Sequence, residues 1–292
     1  MQTAAFGDTG LQVSRLGLGC GALGDARTSE RDAERLLLEA VDLGITLFDA
    51  ARSYGLAEER LGRHLARRPG VLLSTKGGYG AHGVEDWTGA AIERGIDQAL
   101  GRLSAERIDL FHLHSCPLDV LRRDDLRGAL DRARAAGKIR VAAYSGDNEP
   151  LDWAVDSRAF GGVQCSVSVF DQRALRHALP RAASCGVGVI AKRPLGNAPW
   201  RFAERPHGHD ADVSWDRMRA LAIDPAPLAW QELAVRFAAF APGVACAVLG
   251  TTSVEHLRDA ARHVAAGPLP GEVFARVRDA FDRAGAAWPG RV

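Results

Sequence analysis

Phe48-Asp49-Ala50-Ala51-Arg52-Ser53-Tyr54-Gly55 closes a short apolar run on a carboxylate and turns at once through a phenol. Val71-Leu72-Leu73-Ser74-Thr75-Lys76 follows and closes on a lysine; Ile108-Asp109-Leu110-Phe111-His112-Leu113-His114 comes next and closes on a histidine. Each run has the composition of a strand and precedes an amphipathic helical pattern. Asp49, Tyr54, Lys76 and His114 are therefore expected at the carboxyl ends of three successive strands. A tyrosine, with an ordinary pKa of about 10, is a poor acid at neutral pH unless a nearby cation stabilises its phenolate. Lys76 supplies the cation, so this is a place for proton chemistry.

Outward from these runs the same alternation continues along the chain. Strand-like stretches recur near Leu16–Leu18, Leu47–Asp49, Leu72–Thr75, Leu110–His112, Arg140–Tyr144, Val163–Val167, Val187–Ala191 and Ala245–Leu249. Helical patterns lie between and after them: Glu30–Leu43, Ala57–Leu65, Gly89–Leu103, Leu126–Ala136, Leu151–Val155, Arg173–Cys185, Leu228–Ala241 and Val254–Val264. Eight alternating pairs predict an α/β fold, a (β/α)8 TIM barrel whose active site lies at the carboxyl ends of the strands. Phe6 to Val13, with Gly7-Asp8-Thr9-Gly10 at its centre, reads as an N-terminal β-hairpin that plugs the bottom of the barrel, and Glu272–Gly285 as an extra C-terminal helix. A chain of 292 residues without a linker is expected to form a single domain, 1–292. One connection breaks the rhythm. About thirty residues, Gly196–Pro227, separate the seventh strand from its helix, far beyond the usual few. That segment carries Trp200, Arg201, Arg205, His207, His209 and Trp215, a mixture of rings and cations suited to a flap over a phosphate-bearing ligand.

Composition narrows the function classes. The formal net charge is +1 and the arginines are interspersed with acids, as in Arg31-Asp32-Ala33-Glu34-Arg35, which argues against a nucleic-acid partner. The five cysteines (Cys20, Cys116, Cys165, Cys185, Cys246) are scattered without any C-x-x-C pair, so they read as reduced thiols and not as a disulfide framework or metal ribbon. No basic leader and no apolar run of about 18 residues occurs, so no membrane association and a cytoplasmic location are expected. Lysine is scarce: only Lys76, Lys138 and Lys192 occur, and two of these fall at expected strand ends.

Taken together, the strand-end residues resemble the aldo-keto reductase family over nearly the whole chain. The resemblance rests on Gly10-Leu11-Gln12-Val13-Ser14-Arg15-Leu16-Gly17-Leu18-Gly19, Asp49 with Tyr54-Gly55, Ser74-Thr75-Lys76, Asp109-Leu110 with His114, Gln164, Ala191-Lys192-Arg193-Pro194-Leu195-Gly196 and Gly250-Thr251-Thr252-Ser253, in this order. It implies reversible carbonyl reduction by hydride transfer from a nicotinamide, NADP with NAD possible, on a small-molecule carbonyl substrate. It also implies roles. Tyr54 is the proton donor, Lys76 held by Asp49 tunes it, and His114 orients the carbonyl. Ser145 and Gln164 correspond to positions that hold the nicotinamide carboxamide. Lys192, Arg193, Pro194 and Leu195 lie along the cofactor, and Gly250, Thr251, Thr252, Ser253 and His256 surround the adenosine phosphate at a helix start. No metal site is implied.

Departures from the family pattern limit what carries over. Gly146 follows Ser145 where the family commonly has Asn, and Lys192-Arg193 replaces an aromatic ring stacked on the nicotinamide. Gly250 and His256 occupy positions where basic residues often grip the 2′-phosphate, leaving Ser253, Arg258 or the long loop to do so. The C-terminal loop is expected to be short, so specificity falls to Leu23–Thr28, Tyr79–Trp87, Cys116–Arg122 and the long loop. His112 is assigned to packing. Three other readings stay open: a metal-dependent hydrolase using His112 and His114, a Schiff-base lyase or aldolase using Lys76 or Lys192, and a nicotinamide-binding sensor barrel without turnover.

Overall fold

A computed structural model describes residues 1–292. The chain opens with an antiparallel pair, β1 (Thr3–Ala5) and β2 (Gln12–Ser14). Eight parallel strands then close into a barrel: β3 (Leu16–Gly19), β4 (Leu47–Asp49), β5 (Leu72–Gly77), β6 (Ile108–His114), β7 (Ile139–Ser145), β8 (Gly162–Ser166), β9 (Gly188–Lys192) and β10 (Cys246–Gly250). β10 pairs with β3 to complete the ring. The outer layer consists of α1 (Glu30–Asp42), α2 (Ala57–Leu65), α3 (Gly89–Leu103), α4 (Leu118–Leu121), α5 (Asp124–Ala135), α6 (Asn148–Asp156), α7 (Arg173–Arg176), α8 (Ala178–Ser184), α9 (Asp212–Leu221), α10 (Trp230–Ala239), α11 (Val254–Ala265) and α12 (Gly271–Ala284). The expected TIM barrel is thus present, with its hairpin and its additional helix.

Local chemistry explains where the helices begin. Ser29 caps α1 by accepting from the Asp32 amide, Thr88 caps α3 through Ala91, and Ser253 caps α11 through His256. The apolar faces of these helices pack on the outside of the barrel in one continuous core.

The hairpin closes the amino-terminal end of the barrel with Phe6. This ring is wholly buried and packs with Leu47, Leu110, Val141 and Ile190 from four strands. Gly162 and Gly188 make room for it, since a Cβ at either position would lie 2.6 or 2.5 Å from the ring. The plug leaves the opposite end as the open mouth.

Two expected elements differ. The stretch Arg173–Cys185 is two short helices and not one, broken at His177. Pro180 explains the break, because its ring clashes with a helical carbonyl four residues earlier and it has no N–H to donate. The long connection 196–227 contains α9, whose buried face consists of Ser214, Arg217 and Leu221. A buried arginine on the inner face conceals the helical pattern in the sequence. The segment is packed down: Trp200 stacks on Trp230 at 5.7 Å and also meets Phe170, while Arg217 lies 3.3 Å from the buried Asp171.

Candidate active site

Strand register gathers the chemistry at the mouth. Asp49 pairs with Ser74 across β4 and β5, Lys76 with His112 across β5 and β6, His114 with Ser145, and Ser145 with Gln164. Ser74 and Lys76 share the inner face of β5, and His112 and His114 that of β6, because alternate residues of a strand point the same way. The intervening Thr75 faces outward and donates to Glu58 on α2.

Asp49, Lys76, Tyr54 and His114 are brought together. The Lys76 ammonium donates to Asp49 Oδ2 at 2.6 Å and to the Ala50 carbonyl at 2.7 Å. It lies 5.0 Å from the centre of the Tyr54 ring. The His114 ring meets Tyr54 edge-on at 6.0 Å between centroids. Asp49 and Lys76 are both buried, 4% and 2% exposed, so this is an ion pair in a region of weak screening. Burial opposes both charges, but mutual attraction outweighs it: the carboxyl is held below its ordinary range and the ammonium above its own. The pair stays charged. Burial, reinforced by the Lys76 charge, lowers the His114 pKa to about 4, so its imidazole is neutral at physiological pH.

The turn that presents Tyr54 is clamped by a close backbone approach. Leu56 donates to the Gly24 carbonyl at 3.0 Å, and any side chain at Gly24 would collide with the Tyr54 carbonyl. Arg60, buried on α2, donates to the carbonyls of Leu23, Asp25 and Thr28, and so fixes the loop beside that turn.

Three further residues join the site. Ser74 donates to Asp49 Oδ1 at 2.8 Å and lies 3.1 Å from His112 Nε2, forming a tier beneath the tetrad. His112 is wholly buried, and burial lowers its pKa to about 3. Tyr79, on the loop after β5, places its hydroxyl 3.1 Å from His114 Nδ1. The H-x-H spacing marks His112 as a partner on the same face, whereas the contacts of Ser74 and Tyr79 leave no local signal in the sequence.

The residues implied in cofactor binding form two groups. Ser145 donates to Gln164 Oε1 at 2.9 Å, which leaves Gln164 Nε2 buried and without a partner. An orphaned amide donor at the strand ends suits a carboxamide oxygen, so this part of the site fits a nicotinamide. Gly250, Thr251, Thr252 and Ser253 run from β10 into the start of α11, and the Thr251 hydroxyl accepts from the Ser253 amide. His256 is exposed in the first turn of that helix, and Arg258 is paired with Glu39 at 2.7 Å. Lys192 and Arg193 are engaged elsewhere, ahead of Pro194 and Leu195. Lys192 pairs with buried Asp147 at 2.9 Å, and Arg193 donates to Ser166 Oγ and to the carbonyls of Arg291 and Val292. With Asn148 and Arg217 bonding Gly290 and Pro289, residues 289–292 are tied across the loops that follow β7, β8 and β9. The two cations thus hold the protein's own chain, which the replacement of a stacked ring by Lys192-Arg193 does not reveal by itself.

Comparison with known proteins agrees with this geometry. The sequence model of the Aldo/keto reductase family matches residues 15–282. An L-galactose dehydrogenase of Arabidopsis thaliana is 31% identical over 229 residues, 72% of this chain and 70% of that protein. A 6-dehydroglucose reductase of Novosphingobium aromaticivorans is 32% identical over 236 residues, 74% of this chain and 75% of that protein. Among solved structures, the holo form of aldo-keto reductase AKR11C1 from Bacillus halodurans superposes with a TM-score of 0.83 at 27% identity, covering 98% of this chain and 97% of the other.

Proposed function

The chain belongs to the aldo/keto reductase family and is an oxidoreductase of the carbonyl–alcohol type, from which we propose that it reduces a sugar-derived aldehyde or ketone reversibly at the expense of NADPH. The observation that carries the mechanism is the buried Asp49–Lys76 pair beneath the Tyr54 ring, with a neutral His114 alongside. When bound, a nicotinamide cofactor supplies or accepts the hydride, and Gln164 and Ser145 would hold its carboxamide. The Tyr54 hydroxyl gives its proton to the carbonyl oxygen as negative charge develops there. The Lys76 ammonium stabilises the phenolate left behind, and Asp49 keeps that ammonium charged and aimed. His114, carrying no charge of its own, donates an N–H to the substrate oxygen and fixes its direction. In alcohol oxidation the same groups run in reverse, with the phenolate taking the proton.

A lysine kept protonated by a buried carboxylate is a poor amine nucleophile, and this weighs against the Schiff-base reading at Lys76. Two relatives bear sugar names, and the neighbours of Tyr54 support that substrate class: Tyr79 and Trp87 offer aromatic faces, while Ser53, on the same turn as Tyr54, adds a polar edge. Preference for NADP rests on the exposed Arg258, whose surface pair with Glu39 is weak enough to exchange for a 2′-phosphate.

Multiple-turnover NADPH oxidation with a panel of aldoses and simple aldehydes tests the reading. Turnover is expected, and Tyr54→Phe should reduce kcat by on the order of 10²–10⁴ with little change in cofactor affinity. Cofactor binding without turnover on any carbonyl would favour the sensor reading, and an active Tyr54→Phe enzyme would remove the mechanism.

A further inference from the structure

We infer that Tyr79 is a positioning residue for carbonyl reduction that works through His114, by fixing which imidazole nitrogen carries the proton. The inference rests on the carbonyl–alcohol chemistry proposed above. A neutral imidazole has one donor nitrogen and one acceptor nitrogen, and a carbonyl oxygen can only accept. His114 orients a carbonyl only if the nitrogen that meets the substrate bears the hydrogen. The opposite nitrogen must then find a donor.

Tyr79 is built to be that donor. Its hydroxyl lies 3.1 Å from His114 Nδ1, and the two rings stack at 5.8 Å with 26° between their planes. Trp87 packs on Tyr79 at 5.6 Å and restrains it further. Trp87 itself sits at φ 59, a left-handed conformation that a bulky residue adopts at some strain, held by its amide donating to the Gly78 carbonyl at 2.7 Å. Ser53, one residue before the catalytic tyrosine, places its hydroxyl 3.3 Å from the Tyr79 oxygen. The Tyr79 hydroxyl can donate to Ser53 Oγ or to the nearer His114 Nδ1, and donation to Nδ1 is the arrangement that a carbonyl substrate selects. It leaves Nε2–H as the donor for the substrate oxygen. Reversing that donation would put the hydrogen on Nδ1 and present a lone pair to a carbonyl, which repels it.

Tyr79→Phe keeps the ring stack and removes only the hydroxyl. kcat/KM for aldehyde reduction should fall about 5- to 10-fold, the effect of one lost hydrogen bond, with cofactor Kd and Tm unchanged. In a His114→Gln background the same change should alter kcat/KM by less than twofold, because the group through which Tyr79 acts is gone. Equal losses in both backgrounds would place Tyr79 on the substrate itself and overturn the inference. Nitrogen-15 spectra of the imidazoles provide a readout independent of activity, with the His114 signals identified by their loss in His114→Gln. The wild type should show a bare Nδ1 and a protonated Nε2, and Tyr79→Phe a mixture of tautomers. A protonated Nδ1 in the wild type, or spectra unmoved by Tyr79→Phe, would refute it. Should the wild type turn over no carbonyl, the functional reading fails while the spectra still decide what Tyr79 does to His114.

Discussion

Replacing Lys76 with methionine separates what the ammonium does for the reaction from what it does for the fold. The ammonium lies 5.0 Å from the centre of the Tyr54 ring, and at a separation of that order, with an effective dielectric of about 20, an ammonium and a phenolate attract by about 3 kcal/mol. Removing that attraction should lower turnover by on the order of 10²-fold at neutral pH. The same change strands Asp49, which is only 4% exposed and loses its 2.6 Å partner. An uncompensated buried charge of this kind destabilises a protein by about 3–5 kcal/mol. Asp49→Asn in the Lys76→Met background removes the stranded charge and should restore much of the stability while leaving turnover as poor as before. Urea unfolding and steady-state aldehyde reduction, measured on both single variants and the double, give the two quantities independently. If activity recovers in parallel with stability in the double variant, Lys76 is only a scaffold for the fold and the electrostatic argument is wrong.

Three further outcomes are expected. Arg258→Ala should weaken NADPH binding, followed by tryptophan fluorescence, while leaving NADH unaffected; an equal loss for both would detach Arg258 from the 2′-phosphate. Phe6→Ala empties the plug of a wholly buried ring and should destabilise the protein by about 3–5 kcal/mol in urea melts without altering KM at the opposite end. The wholly buried His112, with its pKa lowered from 6.5 to about 3, takes up a proton on unfolding but not in the native state between those values. Stability should therefore rise with pH across that window and fall on acidification, by up to about 1.4 kcal/mol per pH unit from this residue. His112→Gln should flatten the slope by one proton; an unchanged slope would mean that His112 does not titrate this way.

The barrel and the tetrad were legible because each rests on local pattern. Strand runs such as Leu72–Thr75 announce themselves by composition, and a chemical side chain at the end of such a run must face the mouth once the strands close into a ring. Other features depend on contacts distant in sequence. Ser74 meets His112 across 38 positions and Tyr79 meets His114 across 35, and neither contact leaves a periodic trace. The helix Asp212–Leu221 escaped notice for a different reason: Arg217 on its inner face is satisfied by Asp171 and by carbonyls of Phe170 and Pro289, partners that only the folded chain assembles.

The scarcity of lysine has a practical side. Of the three lysine side chains, Lys76 is 1% exposed and Lys192 15%, each locked to a carboxylate, whereas Lys138 is 42% exposed and paired only with Asp97 on the surface. Lys138 directly precedes β7, at the plugged end of the barrel and opposite the mouth. Among the lysines, an amine-reactive dye or resin should therefore select this one position. A layer of the enzyme coupled through it would stand with its catalytic openings turned outward, and a fluorophore attached there would report on the protein without crowding the substrate.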